Sequence, residues 1–251
     1  RCVVGKCLMD TGVKSVCWSP DGATIAVGLG EAGRRGQRKA GAFGIIDYKT
    51  MEIIHEGRES KKNISTMQFS PDGSTLALGS HDTKIYLHNV LDNYKLRAKC
   101  DKSTGIITHM DFSSDGSYLR VNSDAFELIF VNTLDGSWVP SPATMKDTNW
   151  VTQTCVLSWP VQAMWPTDND KLYIHACNRA HSSQVLAAGD NTAHIHVYNY
   201  PVLSKDAPKH TLQCHSHSVS NLCFTVSDSH LLSIGNNDRT ICQWNVQSFK
   251  A

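Results

Sequence analysis

Trp18-Ser-Pro-Asp-Gly22, Phe69-Ser-Pro-Asp-Gly73 and Phe112-Ser-Ser-Asp-Gly116 are three copies of one turn phrase, each flanked by alternating runs of apolar residues. Proline presets φ at the second turn position, aspartate bonds its own backbone, and glycine takes the positive φ that closes a hairpin. Two strands meet at every copy. A third short strand follows a second aspartate-bearing turn, as where Gly79-Ser-His-Asp82 leads into Lys84-Ile-Tyr-Leu-His88, and a fourth precedes the next copy. Four short strands per unit, repeated about every 40 to 50 residues, are the signature of a β-propeller blade.

Aligned on the aromatic that ends each first strand, the units carry Trp18, Phe69, Phe112, Trp165 and Phe224, at spacings of 51, 43, 53 and 59 residues. These aromatics are expected to be buried. Blades are expected at about 11–57, 63–100, 105–139, 150–214 and 215–247, with residues 1–10 forming a strand of a preceding or closing blade. Blade four is irregular, because Trp165-Pro-Thr-Asp-Asn-Asp170 replaces the turn phrase and an extra alternating run, Trp150–Leu157, stands ahead of it. The fold class is all-β, a WD-repeat β-propeller with about five blades visible. It is read as part of a larger or tandem propeller in preference to a closed ring of five.

Blade five resembles a WD-repeat ending. His215 precedes Phe224 by nine residues, and Asn236-Asn-Asp238 turns into Thr240-Ile-Cys-Gln-Trp244. In WD repeats a buried network joins a histidine, a hydroxyl, an aspartate and a tryptophan. His215, Asp238 and Trp244 match in spacing, whereas the hydroxyl position four before the aspartate holds Ile234. Ser233, one place off, is expected to face the other way, which leaves the network incomplete. Blades two and three keep the acid at Asp82 and Asp124, with His88 and Phe130 in place of the tryptophan.

The rest of the chain narrows the function classes. A length of 251 residues and 41% apolar content suit a sizeable core, and a formal charge of +1 gives no global steering toward nucleic acid or membrane. No run approaches the ~18 apolar residues of a membrane span, and no charged-then-apolar leader is expected ahead of the first strand. The nine cysteines are odd in number and lack CxxC spacing. Lying mostly in strand patterns (Cys17, Cys155, Cys223, Cys242), they are expected to be buried free thiols rather than a disulfide framework, as in a soluble intracellular protein.

Chemistry is sparse. His194 and His196 share a strand face, and His210, Cys214, His215 and His217 crowd one segment. Hydrogen-bonded core histidines account for them better than zinc, whose tetrahedral sites favour spaced ligand pairs. No Ser-His-Asp set comes with a nucleophile elbow. Gly28-Leu-Gly-Glu-Ala-Gly33 fits GxGxxG only superficially, since Arg34-Arg-Gly-Gln-Arg-Lys39 follows without helical periodicity. No catalytic residue, cofactor or metal is expected. The basic loop itself, with Arg34, Arg35, Arg38 and Lys39 among glycines, suits an acidic partner or a solvated insertion equally. Lys61 and Lys62, in the next inter-strand loop, extend it. Trp18 and Trp244 are read as packed between blades, and Trp138, just before Pro140-Ser-Pro142, as a candidate surface anchor.

One further stretch is more specific. Trp150-Val-Thr-Gln-Thr-Cys-Val-Leu-Ser-Trp-Pro-Val-Gln-Ala-Met-Trp-Pro166 resembles the segment that introduces a late blade in the echinoderm microtubule-associated protein-like (EML) family. Matches continue in order through Gly79-Ser-His-Asp82, Ile107-Thr-His109 with Asp111, Asn122-Ser123 with Glu127-Leu128, Arg179-Ala-His181, His194 to Tyr200-Pro201, and Asp228-Ser-His-Leu231 through Gln243-Trp244. The resemblance covers most of residues 63–247. It implies the second ring of a tandem atypical propeller, a noncatalytic module whose partners are tubulin or microtubules. It also implies a place on the cytoplasmic cytoskeleton or the ciliary axoneme. The alternative is a general WD-repeat scaffold subunit of a multiprotein complex unrelated to tubulin.

Overall fold

The computed structural model describes residues 5–30, 40–165 and 172–246. The chain divides into two compact units, Arg1–Val151 and Thr152–Ala251. The first holds three antiparallel sheets. Blade one is β1 (Gly12–Trp18), β2 (Thr24–Gly30), β3 (Ala42–Asp47) and β4 (Ile53–Arg58), and blade two is β5 (Ile64–Phe69), β6 (Thr75–Ser80), β7 (Ile85–Asn89) and β8 (Lys95–Cys100). Blade three has β9 (Ile107–Phe112), β10 (Tyr118–Ser123) and β11 (Leu128–Asn132). In the second unit, blade four is β12 (Ile174–Arg179), β13 (Val185–Asp190), β14 (His194–Asn199) and β15 (Lys209–Gln213). Blade five is β16 (Val219–Phe224), β17 (His230–Gly235) and β18 (Ile241–Asn245). Within each sheet every strand pairs with its neighbour in sequence, as in a WD-repeat β-propeller. Among the described residues the helical turns Pro142–Met145 and Trp159–Met164 are short and 3-10.

The turn phrase does what its residues dictate. Gly22, Gly73 and Gly116 have φ of 68°, 72° and 73°, and Asp21, Asp72 and Asp115 each accept the backbone N–H two residues on, at 3.0–3.1 Å. Cores then form between successive sheets rather than within them. One apolar cluster joins blades one and two through Ala26, Phe43, Ile64 and Phe69. A second joins blades two and three through Leu87, Ile107 and Phe112, and a third joins blades four and five through Ile195, Val219 and Phe224. Glycine permits this approach. A Cβ on Gly28, Gly79 or Gly189 would lie 2.5–2.7 Å from a methyl of Ile64, Ile107 or Val219, the β-branched residue of the next blade's first strand.

Two expectations about the aromatics fail. Phe69, Phe112 and Phe224 are buried because each packs against the preceding blade, but Trp18 is 51% exposed, its ring edge-on to Tyr48 at 4.9 Å. Trp165 is on no strand. The residue of blade four that pairs as Trp18, Phe69, Phe112 and Phe224 do is Arg179, opposite Leu186. The spacings become 51, 43, 67 and 45, so the surplus lies between β11 and β12, ahead of blade four. The expected strand over Trp150–Leu157 is reduced to a single bridge, Ser113 to Trp150. From this insertion Val156, Val161, Met164 and Trp165 pack on Ile174, Cys177 and Leu186, covering a blade-four face from outside the sheet, and the Trp165 indole N–H donates to the Val156 carbonyl at 2.9 Å.

Within the first unit, Trp150 packs on blade three. Arg120, on β10, is 1% exposed and opposes Asp111 on β9; its Nε and Nη2 both lie 2.9 Å from Asp111 Oδ2. The Trp150 ring lies 4.8 Å from the guanidinium carbon, in cation–π contact.

Candidate functional site

In blade five the loop after β15 brings His215 into the interior, where it is 3% exposed. Its Nδ1 lies 3.0 Å from Asp238 Oδ2 and 2.9 Å from Thr240 Oγ1, and its Nε2 lies 2.8 Å from Ser233 Oγ. The Trp244 indole N–H donates to the same serine oxygen at 2.9 Å. With a neutral imidazole the donors run one way: indole to serine, serine to Nε2, and Nδ1–H to the carboxylate. Ser233, not Ile234, therefore supplies the hydroxyl, and the network is complete. Leu231 pairs with Trp244 across β17 and β18, so Ser233, two residues along, shares the tryptophan's face. Ile234 points out and is 41% exposed. Counting back from Asp238 missed this because Gly235-Asn-Asn-Asp-Arg-Thr240 is a longer link than the count assumed.

Asp238 is also held by the backbone. It accepts the N–H of Thr240 at 3.0 Å and of Ser216 at 3.1 Å, and the Thr240 N–H leads the bonds that bring its carboxyl down to about 2 against a smaller burial penalty. A side chain on Gly235 would collide with it, since a Cβ there lies 2.1 Å from Asp238 Oδ1.

Comparable hubs stand in blades two, three and four, each built differently. In blade two the Ser60 hydroxyl donates to Asp82 Oδ2 at 2.8 Å and the Tyr86 hydroxyl to the same oxygen at 2.7 Å. Burial first, then that bond, raises the tyrosine pKa. His88 stays apart, its Nδ1 2.7 Å from the Tyr94 carbonyl, and burial lowers its pKa. In blade three the hub is Glu127 rather than Asp124. Burial opposes its charge, but hydroxyl donation from Ser123 (2.6 Å) and Ser103 (2.7 Å), with Thr104, brings the carboxyl down to about 2. Asp124 instead accepts the Ile106 N–H at 2.6 Å. Phe130 pairs with Arg120, one place from Val131, which occupies the register position of Trp244. In blade four Asp190 faces His196 Nε2 at 3.0 Å; burial again opposes, and His196, the His194 N–H and Thr192 bring it down to about 2.

The cysteine expectation needs correction for one pair and for Cys223, which is free but exposed. Cys214 and Cys242 form a disulfide, because Cys242 on β18 faces the loop that carries Cys214 out of β15, while Cys7, Cys17, Cys100, Cys155, Cys177 and Cys223 are free. Cys214 and His215 are thus both committed. Among the described residues no group of three or more His, Cys, Asp or Glu is placed to hold a metal. Nor is any described helix long and apolar enough to cross a membrane.

The candidate partner residues divide. Arg34, Arg35, Arg38 and Lys39 lie outside the described residues. Lys61 and Lys62 are exposed on a bend that the Lys62 N–H fixes on Ser60 Oγ at 2.9 Å. Gly41, with φ of 82°, abuts this bend: a Cβ on it would lie 2.3 Å from the Ser60 carbonyl oxygen and 2.6 Å from that of Lys62. The two lysines therefore stand beside the return point of the basic segment. Trp138 is 44% exposed, with the Lys102 ammonium 4.3 Å from its ring centre.

Comparison with known proteins agrees with this architecture. Among solved structures, a chain of the Mitotic Checkpoint Complex superposes with a TM-score of 0.72 at 16% identity, covering 94% of this chain and 75% of that one. The Myceliophteria thermophila Cps50 (Swd1) β-propeller domain gives 0.61, also at 16% identity, covering 99% and 70%. These show the fold alone. Echinoderm microtubule-associated protein-like 4 of Xenopus tropicalis is 35% identical over 231 residues, covering 90% of this chain and 24% of that protein. Echinoderm microtubule-associated protein-like 1 of Homo sapiens is 33% identical over 249 residues, covering 95% and 29%. The chain thus spans about a quarter of the length of the curated relatives it matches. Residues 1–246 match the family described as the echinoderm microtubule-associated protein second beta-propeller, and the chain belongs to that family.

Proposed function

We propose that this chain is a noncatalytic interaction module of a microtubule-associated, EML-like protein of the cytoplasmic cytoskeleton, and that its partner is tubulin or the microtubule. The observation that carries the reading is the family match over residues 1–246, together with relatives that bear the name microtubule-associated protein. The polar groups fit it. Asp82, Glu127, Asp190 and Asp238 spend their oxygens on hydroxyls, imidazoles and backbone N–H groups of their own blades. Such hubs brace a scaffold. A partner then meets the loops, where the basic segment Arg34, Arg35, Arg38 and Lys39, with Lys61 and Lys62 at its foot, offers a cationic surface to acidic tubulin.

Co-sedimentation of the full-length protein with microtubules over a salt series tests the proposal. The wild type is expected to pellet. A variant with Arg34, Arg35, Arg38 and Lys39 all replaced by glutamine is expected to bind more weakly, most clearly at low salt, because exposed charges act within a Debye length of about 10 Å at 0.1 M. A wild type that stays in the supernatant throughout overturns the microtubule reading. Equal binding of both proteins at every salt concentration removes the loop from the contact.

A further inference from the structure

We propose that Ser141 is a phosphorylation site for a serine/threonine kinase that selects proline after the acceptor serine. The sequence holds three Ser-Pro pairs, at Ser19, Ser70 and Ser141. Two are closed off by the fold. The Ser19 hydroxyl donates to Asp21 Oδ1 at 2.5 Å and accepts the Thr24 N–H at 2.9 Å. Ser70 makes the same pair of bonds, to Asp72 at 2.5 Å and from Thr75 at 2.9 Å, and is 1% exposed. Each is a working part of a hairpin turn, and presenting it to a kinase would mean opening a blade.

Ser141 differs on every count. It lies in the insertion between β11 and β12, it is exposed, and its hydroxyl makes no capping bond to the turn that follows. Its backbone is extended, with φ −114° and ψ 92°, the conformation in which a peptide lies along a kinase cleft. Pro140, Pro142, Ala143 and Thr144 are exposed too, and the 3-10 turn over Pro142–Met145 is held by backbone bonds of 3.2 Å and 3.3 Å and by the exposed Thr144 hydroxyl, which donates to the Ser141 carbonyl at 2.7 Å, with Met145 its buried residue. Peeling back so short an exposed turn costs little, as local opening does where few apolar contacts break. Pro142 has no N–H to satisfy, so it suits a pocket that offers no acceptor there.

The step balances with ATP as the donor. The Ser141 Oγ–phosphorus bond forms, the bond from the γ-phosphorus to the bridging oxygen breaks to release ADP, and the hydroxyl proton passes to the kinase's catalytic carboxylate. The product carries roughly −1.5 to −2 added charge on an exposed surface segment, without disturbing a core.

Purified mitogen-activated protein kinase and ATP provide the test, with phosphate located by mass spectrometry on the intact chain. Peptides spanning residues 15–24, 66–75 and 136–146 serve as unfolded references. The ratio of folded-chain rate to peptide rate is expected to be near one for Ser141 and below a tenth for Ser19 and Ser70, and Ser141→Ala should remove the label. A folded chain that takes no phosphate at Ser141, or takes it at Ser19 or Ser70 with an equal ratio, overturns the proposal. So does a 136–146 peptide that the kinase ignores.

Discussion

Ser233 accepts the Trp244 indole N–H and its hydroxyl also bonds His215 Nε2, so losing it leaves the buried imidazole and the indole each short of a partner. Ser233→Ala is expected to cost about 1–3 kcal/mol, read from the urea midpoint, whereas Ile234→Thr, on the exposed side of the strand, should stay within about 0.5 kcal/mol. Equal midpoints for the two variants would show that the network does not bear on stability. Arg120 and Asp111 are a different case, since a buried ion pair is costly to break but often replaceable as a whole. Arg120→Met alone leaves Asp111 buried without its guanidinium and should cost about 3–5 kcal/mol, while adding Asp111→Leu should recover much of the loss. A double-mutant cycle with no coupling would refute that account. Neither arrangement follows from spacing alone. The parity of a strand fixed Ser233, and side-chain reach, rather than position in the turn, made Glu127 the hub of blade three in place of Asp124.

Between elements, the β-branched residue of one blade's first strand enters the space left by a glycine of the previous blade's second strand. Gly189 is the case in the second unit: a Cβ on it would stand 2.6 Å from Val219 Cγ1 and 2.7 Å from Val219 Cβ. Gly189→Ala should therefore lower stability by about 1–3 kcal/mol through overpacking, in contrast to the usual gain from Gly→Ala in a strand. Val219→Ala in the same chain removes the nearer clash and should restore part of it; if the two losses simply add, the interlock is not the cause. Hairpins of this kind were legible wherever the positive-φ place held glycine, at Gly22, Gly73 and Gly116. The equivalent places in blades four and five hold Ser183 and Asp228, with φ of 57° and 53°. Those residues tolerate the geometry without advertising it. With Arg179 standing where the other blades have an aromatic, the true start of blade four leaves no mark in the alignment, and Trp165, a residue of the insertion, stands in its place.

Across the molecule, acid hubs recur in both units, and their titration ties stability to pH in one direction. The carboxyls of Glu127, Asp190 and Asp238 sit at about 2 in the folded chain, against ordinary values of 4.5 for glutamate and 3.8 for aspartate. A depressed folded pKa means the unfolded chain binds protons more readily, so the hubs contribute fully above about pH 5 and the contribution drains away as pH falls toward 2. Urea midpoints should be level from about pH 7 to pH 5 and then drop steadily through the window from 4.5 to 2. The same argument sets the control. A chain carrying Glu127→Gln and Asp190→Asn lacks two of these three hub carboxylates, so it should start less stable at pH 7 yet lose less on acidification. The two curves should converge toward pH 2. If they instead run parallel from pH 7 to pH 2, acid unfolding originates in other groups and these carboxylates hold their blades by geometry alone.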